Sequence, residues 1–345
     1  MRTDADIRVL WLRPTVGTHI STRRERIQEG LIDRGVSVDI VNASGTDAAE
    51  AIRTALTGDY DLVVGTVRVG VYYGHLLSRL EGVPFVAEVT EPIDRVEADL
   101  PRPVFRFFRW YEWKVLARAD ACFFVEQRVL NRARQRGIDG YLARNSVWYE
   151  RFADPDPAVV DRASEQLASI SMDVSAPLAI YIGGFTKQQH IPEILDAARQ
   201  CPRWEFLFLG EEGEHADLVE QAASSESNIH YGGVVPHEDV AGYLSFADVG
   251  FSLTHGERPL KLLEYGAAGL SVLGIPGKRQ EFFSDEEIHF IEPTPEAIAD
   301  ALDTLRSEPE SIPADGSALQ RTAKENSWDS IAQQYYDVFR ELLDR

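Results

Sequence analysis

The sequence predicts an α/β protein made of two Rossmann-like domains, each a parallel sheet covered by helices on both faces. Three observations carry this. The chain has 345 residues, too many for one ordinary core and suited to two domains of about 150 residues each. Twelve short, continuously apolar runs alternate with helical patterns. Strands without polar alternation, separated by helices, belong to parallel sheets buried on both faces. Finally, the polar, proline-bearing stretch "ERFADPDPAVVDR" (150–162) separates two series of six runs.

In chain order the first series is "IRVLWL" (7–12), "SVDIV" (37–41), "LVVG" (62–65), "PFVAEV" (84–89), "ACFFVE" (121–126) and "YLAR" (141–144). The second is "LAIYIGG" (178–184), "EFLFLG" (205–210), "NIHYGG" (228–233), "DVGFSL" (248–253), "LSVLGI" (270–275) and "IHFIE" (288–292). The expected organisation is a first domain over 1–152, a hinge over 153–175 and a second domain over 176–326, with a final helix over 327–345 returning to the first. Open α/β sheets bind ligands at the carboxyl ends of their strands. The expected site is therefore the cleft between the domains.

Composition narrows the partners. The net charge is −21, and only five of the 35 basic residues are lysine. An acidic excess spread along the chain suits a surface kept hydrated in concentrated salt, so a halophilic source is expected. It opposes a broad nucleic-acid surface, which needs clustered lysine and arginine. Cys122 and Cys201 lie in or beside apolar runs and read as core thiols in a reducing cytosol. No signal peptide opens the sequence and no apolar run reaches 18 residues, so a cytoplasmic protein is expected.

The segment "ERPLKLLEYGAAG" (257–269) reads as a short helix, with Pro259 at its first position and Gly269 just past its end. Lys261 and Glu264 stand three residues apart on one face. They are either a partly exposed ion pair or a ligand-binding pair. The amino end of such a helix suits a diphosphate. Glu264 lies on the order of 7 Å further along, at 1.5 Å per residue, a spacing that suits a ribose diol. Gly183 and Gly184, just past a strand, would let backbone approach phosphates closely.

The order of "IYIGGFTKQQHIPEILDAA" (180–198), "EFLFLGEEGEHADLVEQA" (205–222), "NIHYGGVVPHEDVAGYLSFADVGFSL" (228–253) and "PLKLLEYGAAGLSVL" (259–273) resembles the GT-B glycosyltransferases of the large retaining group 1 family. "NSVWYERF" (145–152) is similar to that family's entry to its linker, and "NSWDSIAQQYYDVF" (326–339) to its closing tryptophan helix. The resemblance implies two Rossmann-like domains and a nucleotide-diphosphate sugar as donor substrate, with no separate cofactor. It also implies metal-independent, retaining transfer of a hexosyl group to a lipid-linked or glycan acceptor, as in polysaccharide or glycoprotein biosynthesis. Glu264 would take the ribose. Gly183, Gly184, Lys187, Val235, Arg258, Lys261 and Glu264 form the expected donor site, with Lys187, Lys261 and Glu264 its catalytic set.

Two departures stand out. The first glutamate of the family's E-x7-E falls on Gly256, with Glu257 one residue late, so the segment is closer to a P-x-K-x-x-E-Y variant. The family's basic pair falls on Gly184 and on Gln189–His190, which leaves Lys187, Arg258 and Lys261 to neutralise the leaving diphosphate. A sugar-nucleotide epimerase on a related fold and a non-catalytic nucleotide-sugar-binding protein are the alternative readings.

On the acceptor side, the loop and helix after the first strand offer Gly17, His19 and Arg23. "EVTEP" (88–92) offers Glu88 and Glu91. The segment "PRPVFRFFRWYEWKVLAR" (101–118) holds five basic residues and one acid, a net +4 in a chain of −21. Val104, Phe107, Phe108, Tyr111 and Val115 form its expected core stripe. Arg106, Arg109, Trp110, Trp113 and Lys114 form an expected patch for an anionic membrane surface. Asp59-x-Asp61 and Asp154-x-Asp156 match a metal-binding D-x-D by chance in so acidic a chain. No histidine or cysteine spacing suggests a metal site. "GEEGEH" (210–215) reads as a solvated turn.

Overall fold

The computed structural model describes residues 7–14, 18–43, 47–90, 100–173, 175–210, 213–254, 260–307 and 311–344, with backbone only at 18–22, 48, 50, 51, 55 and 311–315. The chain forms two compact units, Met1–Asn145 with Trp328–Arg345, and Ser146–Ser327.

The first unit is a six-stranded sheet: β1 (Ile7–Arg13), β2 (Val36–Asn42), β3 (Leu62–Thr66), β4 (Phe85–Val89), β5 (Ala121–Phe124) and β6 (Tyr141–Leu142). Its order is β2-β1-β3-β4-β5-β6, and every pairing is parallel. Alternate residues of one run supply both faces. Val9 and Trp11 of β1 enter one core layer with Tyr335 and Phe339, whereas Leu10 and Leu12 enter another with Val63 and Leu77. Helix Trp328–Leu343 is thus built into this unit. Tyr335 stacks on Phe123 with ring centroids 3.7 Å apart, and on Trp11 at 5.6 Å.

The second unit contains β7 (Leu178–Ile182), β8 (Glu205–Leu209), β9 (Ile229–Gly233), β10 (Val249–Ser252), β11 (Ser271–Gly274) and β12 (His289–Phe290). Its order is β12-β11-β10-β7-β8-β9, again all parallel. Connections reverse direction at β7, between β8 and β10, so its carboxyl end is the topological switch point where open α/β sheets hold ligands. All twelve apolar runs form strands.

The hinge expected over 153–175 carries helix Pro157–Ser169 instead. Asp156 caps it, accepting from the Ala158 N–H at 2.8 Å, and Ala163 and Leu167 are buried in the second unit's core. Its Pro-Asp composition marks a helix start, not a flexible linker. The unit boundary accordingly falls at Asn145/Ser146. Asp61 likewise has a local structural role, accepting from the Arg8 N–H at 2.8 Å.

Helix Arg102–Leu116 presents a different face from the expected one. Phe105, Glu112, Val115 and Leu116 are buried, whereas Val104 and Phe107 are exposed. Trp113 is half-buried against the same core, with the Arg136 guanidinium 4.5 Å from its ring centre. Large apolar side chains surround this helix on nearly every side, so period alone does not select the buried stripe. The expected core residues Val104 and Phe107 therefore move outward and Trp113 moves inward.

Candidate functional site

The carboxyl ends of β7 and β8 are held together by backbone that only glycine permits. Gly183 follows β7 with φ +138° and Gly210 follows β8 with φ +142°. A Cβ on Gly210 would stand 2.2 Å from the Gly183 carbonyl oxygen, so no side chain fits there. Tyr181, fully buried, donates its hydroxyl to the Gly184 carbonyl at 2.7 Å and fixes the loop. The Tyr265 hydroxyl holds the end of β7, accepting from the Ile182 N–H at 3.1 Å.

Helix Leu260–Ala267 brings Lys261 to this loop. Its end is set by Gly269 at φ +80°, with the Gly269 N–H donating to Gly266 and the Leu270 N–H to Tyr265, a Schellman ending. The Lys261 ammonium lies 4.5 Å from the centre of the Tyr181 ring and donates to the Gln189 side-chain oxygen at 3.2 Å. A Cβ on Gly183 would be 3.4 Å from it. Burial first, and then the charge of Arg279, pull the Lys261 ammonium down to about 8, with Glu264 opposing. Such a cation lacks hydration and is suited to an incoming anion.

One turn along, Glu264 is mostly covered, its side chain 14% exposed, and its Oε1 is hydrogen-bonded to the His237 Nε2 at 2.8 Å. Lys261 and Glu264 thus hydrogen-bond to different partners, although the carboxylate still acts on the ammonium through its charge. His237 sits two residues past Val235, itself half-buried against the core. Arg279 is buried and donates to the Ser252 and Thr254 carbonyls, fixing the chain beyond β10. Burial pulls its guanidinium down to about 10. The arrangement offers glycine backbone and a desolvated ammonium to one end of a ligand, and a carboxylate to the other. That is the polarity of a nucleoside diphosphate.

Residues 188–337 match the family model described as glycosyl transferase-like. The chain is 24% identical over 335 residues to the α-maltose-1-phosphate synthase of Mycolicibacterium smegmatis, covering 85% of this chain and 84% of that one. Among solved structures, a glycosyltransferase from Rickettsia africae superposes with TM-score 0.70 at 15% identity, covering 98% of this chain and 99% of that one. Anabaena HepE, in complex with UDP, superposes with TM-score 0.68 at 13% identity, covering 97% and 100%. The chain has the GT-B fold, and its second half is similar in sequence to glycosyltransferases.

In this GT-B chain, Gly183, Gly184, Lys261 and Glu264 gather at one end of the second sheet, with Val235 adjacent. Lys187 sits nearby on the turn Lys187–Gln189, exposed, and its charge already has a neighbour. Glu214 is held below the usual carboxylate range by its own backbone N–H, then by the Lys187 N–H and charge. Of the "GEEGEH" stretch, Gly213 and Glu214 are exposed and Gly210 and His215 are partly covered, Glu211 and Glu212 lying outside the described residues; the His215 N–H donates to the Phe185 carbonyl at 3.0 Å. Arg258 lies outside the described residues, as do Glu257, Gly17 and Glu91, and His19 is described in backbone only.

Arg23 is a correction. It is buried, not turned to an acceptor: its guanidinium donates to Glu88 at 2.8 Å and to the Ala143 and Arg144 carbonyls. Glu88 also accepts from Thr66 at 2.7 Å and Tyr335 at 2.9 Å, and Arg24 lies 3.9 Å away. Burial alone would push the Glu88 carboxyl up; the two guanidinium groups, with hydrogen bonds from Thr66 and Arg23, hold it below the usual range. A basic residue in the first turns of a helix over a sheet can face either way, and here an acid at the end of β4 draws it inward.

Tyr181, Gly210, His237 and Arg279 are the site residues that sequence reasoning missed. A signal existed for Gly210. Three successive strands of the second half end in glycine, in "YIGG", "FLG" and "YGG". His237 and Arg279 carry no local signal, because each acts on residues about 27 positions away.

Proposed function

We propose that this protein transfers a hexosyl group from a nucleotide-diphosphate sugar to a lipid-linked or glycan acceptor at the cytoplasmic side. Transfer proceeds with retention, without a metal or resident cofactor. The observation that carries the reading is Lys261, a desolvated ammonium beside glycine backbone with a covered carboxylate one turn further along its own helix. HepE, which shares the fold, has been solved with UDP-glucose, and the curated relative is named for a sugar-phosphate product.

In this reading the diphosphate meets Lys261 and the Gly183–Gly184 backbone, and Glu264 accepts from the two ribose hydroxyls. The bond from the anomeric carbon to the phosphate oxygen breaks as the acceptor oxygen attacks the same face. The acceptor proton passes to the departing phosphate oxygen. Lys261 stabilises the charge developing on the leaving group, and that differential stabilisation is what accelerates the step. No protein nucleophile is required.

Incubation with radiolabelled UDP-glucose, membranes and excess chelator tests this. Labelled glycolipid or glycan with the donor's anomeric configuration is expected. Loss of transfer with chelator, restored by manganese, overturns metal independence, and conversion of the donor to an isomer makes the protein an epimerase. Glu264→Gln should weaken UDP binding ten- to a hundredfold, roughly 1.5–3 kcal/mol, with the melting temperature kept. Unchanged affinity would remove Glu264 from the donor site.

A further inference from the structure

We infer that the outer face of helix Arg102–Leu116 is a docking surface for an anionic lipid bilayer. The inference uses the first unit alone and stands apart from the donor reading. Val104, Phe107 and Trp110, spaced three residues apart, are 40%, 56% and 56% exposed and form one ridge. Its rings touch one another, and Phe107 is steadied from below by Tyr111 and Phe108, through which the ridge meets the core. Phe107 and Trp110 have centroids 6.1 Å apart, and Phe107 stacks on Tyr111 with planes 3° apart.

Basic groups flank the ridge. Arg102, Arg106 and Arg109, with Pro103 and Phe105, line an open cavity of about 690 Å³. The exposed Lys114 reaches to 6.0 Å from the Trp110 ring. Glu112, the one acid between residues 101 and 118, is buried on the opposite face. The outer face is therefore cationic while the whole chain carries −21.

Guanidinium groups around a concavity fit phosphodiester oxygens, which they hold by charge-assisted hydrogen bonds. An aromatic ridge beside them fits the boundary between headgroups and acyl chains. A helix of 15 residues is too short to span a bilayer and would lie in its plane. Nucleic acid offers phosphates but no apolar layer for the ridge, and the chain's net charge repels it.

The test is co-sedimentation of the full chain, without nucleotide, with phosphatidylcholine vesicles that contain or lack phosphatidylglycerol. Binding to the anionic vesicles alone is expected. Phe107→Ala with Trp110→Ala should lower partitioning by at least tenfold with the melting temperature kept, since both side chains are exposed. Arg102→Glu with Arg106→Glu should lower it by about fivefold or more per site at low salt. At 1 M salt, where screening falls to about 3 Å, the arginine effect should fade and the aromatic effect persist. Absence of vesicle binding overturns the inference, as does a folded double aromatic variant that sediments like the wild type. So does a concentration-dependent dimer that the same variants dissolve, which would make a second copy the occupant.

Discussion

The two sheets end differently at their carboxyl edges. In the first unit, Thr66 closes β3 and Glu88 stands one residue from the end of β4. Both are fully buried, tied to Arg23, Trp11 and Tyr335. In the second unit the corresponding strand ends run into Gly183, Gly210 and Gly233, all at positive φ. Lys261 donates there to a neutral amide oxygen. One architecture thus has two uses. A charge met by the protein's own opposite charges is structural, whereas a charge whose partner is neutral is available to a ligand. The distinction predicts opposite outcomes for substitutions at the two edges.

The largest effect is expected in the first unit. Glu88→Gln keeps the shape of the side chain but leaves the buried Arg23 and Arg24 without their carboxylate. Breaking a buried pair in this way costs about 3–5 kcal/mol. Thermal or urea denaturation should show the loss, with UDP affinity of the folded fraction unchanged. A variant as stable as the wild type but poor in turnover would move Glu88 back to the acceptor role that the sequence suggested.

That misreading shows where sequence is informative. The strands were legible because burial on both faces writes an unbroken apolar run, and each of the twelve runs is a strand. Lys261 and Glu264 were legible because their spacing on one helix is local, and Gly269 because a helix end requires its conformation. The direction in which Arg23 points was not, because it depends on Glu88, 65 residues away. The face of helix Arg102–Leu116 was not legible either. Its aromatic residues surround the helix, and the buried acid Glu112 contradicts the usual sorting of polar from apolar. Tyr265 lies between these cases. It stands beside Glu264 in sequence, but its contribution, a hydroxyl for the Ile182 N–H, comes from 83 residues away.

An intermediate effect is expected at Lys261, with opposite signs for stability and binding. Its ammonium titrates near 8, against an ordinary value of 10.5. The native state therefore sheds this proton before the unfolded state does. The penalty for burying the charge is fully present below pH 8, and stability gained from this group rises between pH 8 and about 10.5. A bound diphosphate favours the charged form, so UDP affinity should fall as pH rises through about 8, with proton uptake measurable by calorimetry in buffers of different ionisation heat. Lys261→Met should raise the melting temperature at neutral pH, weaken UDP binding roughly ten- to a hundredfold and abolish the proton uptake. A variant that is destabilised with unchanged UDP binding would make Lys261 structural, and the two edges alike.

The smallest effect is expected at His237. It faces Glu264 at 2.8 Å, but its side chain is 63% exposed, so solvent screens the contact. Exposed pairs of this kind contribute about 0–1 kcal/mol. His237→Ala should leave the melting temperature nearly unchanged. The imidazole engages one carboxylate oxygen, Oε1, and limits how Glu264 turns within its covered site; without it the carboxylate gains rotational freedom that a ribose must remove on binding. UDP affinity should therefore fall by no more than about fivefold, the equivalent of 1 kcal/mol. Titration of UDP into His237→Ala, Glu264→Gln and the double variant separates the roles. If Glu264 holds the ribose and His237 only steadies it, the double variant should bind like Glu264→Gln alone, because a steadied group that has lost its charge leaves nothing to steady. Additive losses would mean that His237 meets the ligand through contacts of its own, and the open edge of the second sheet would then extend beyond Glu264 to the loop after β9.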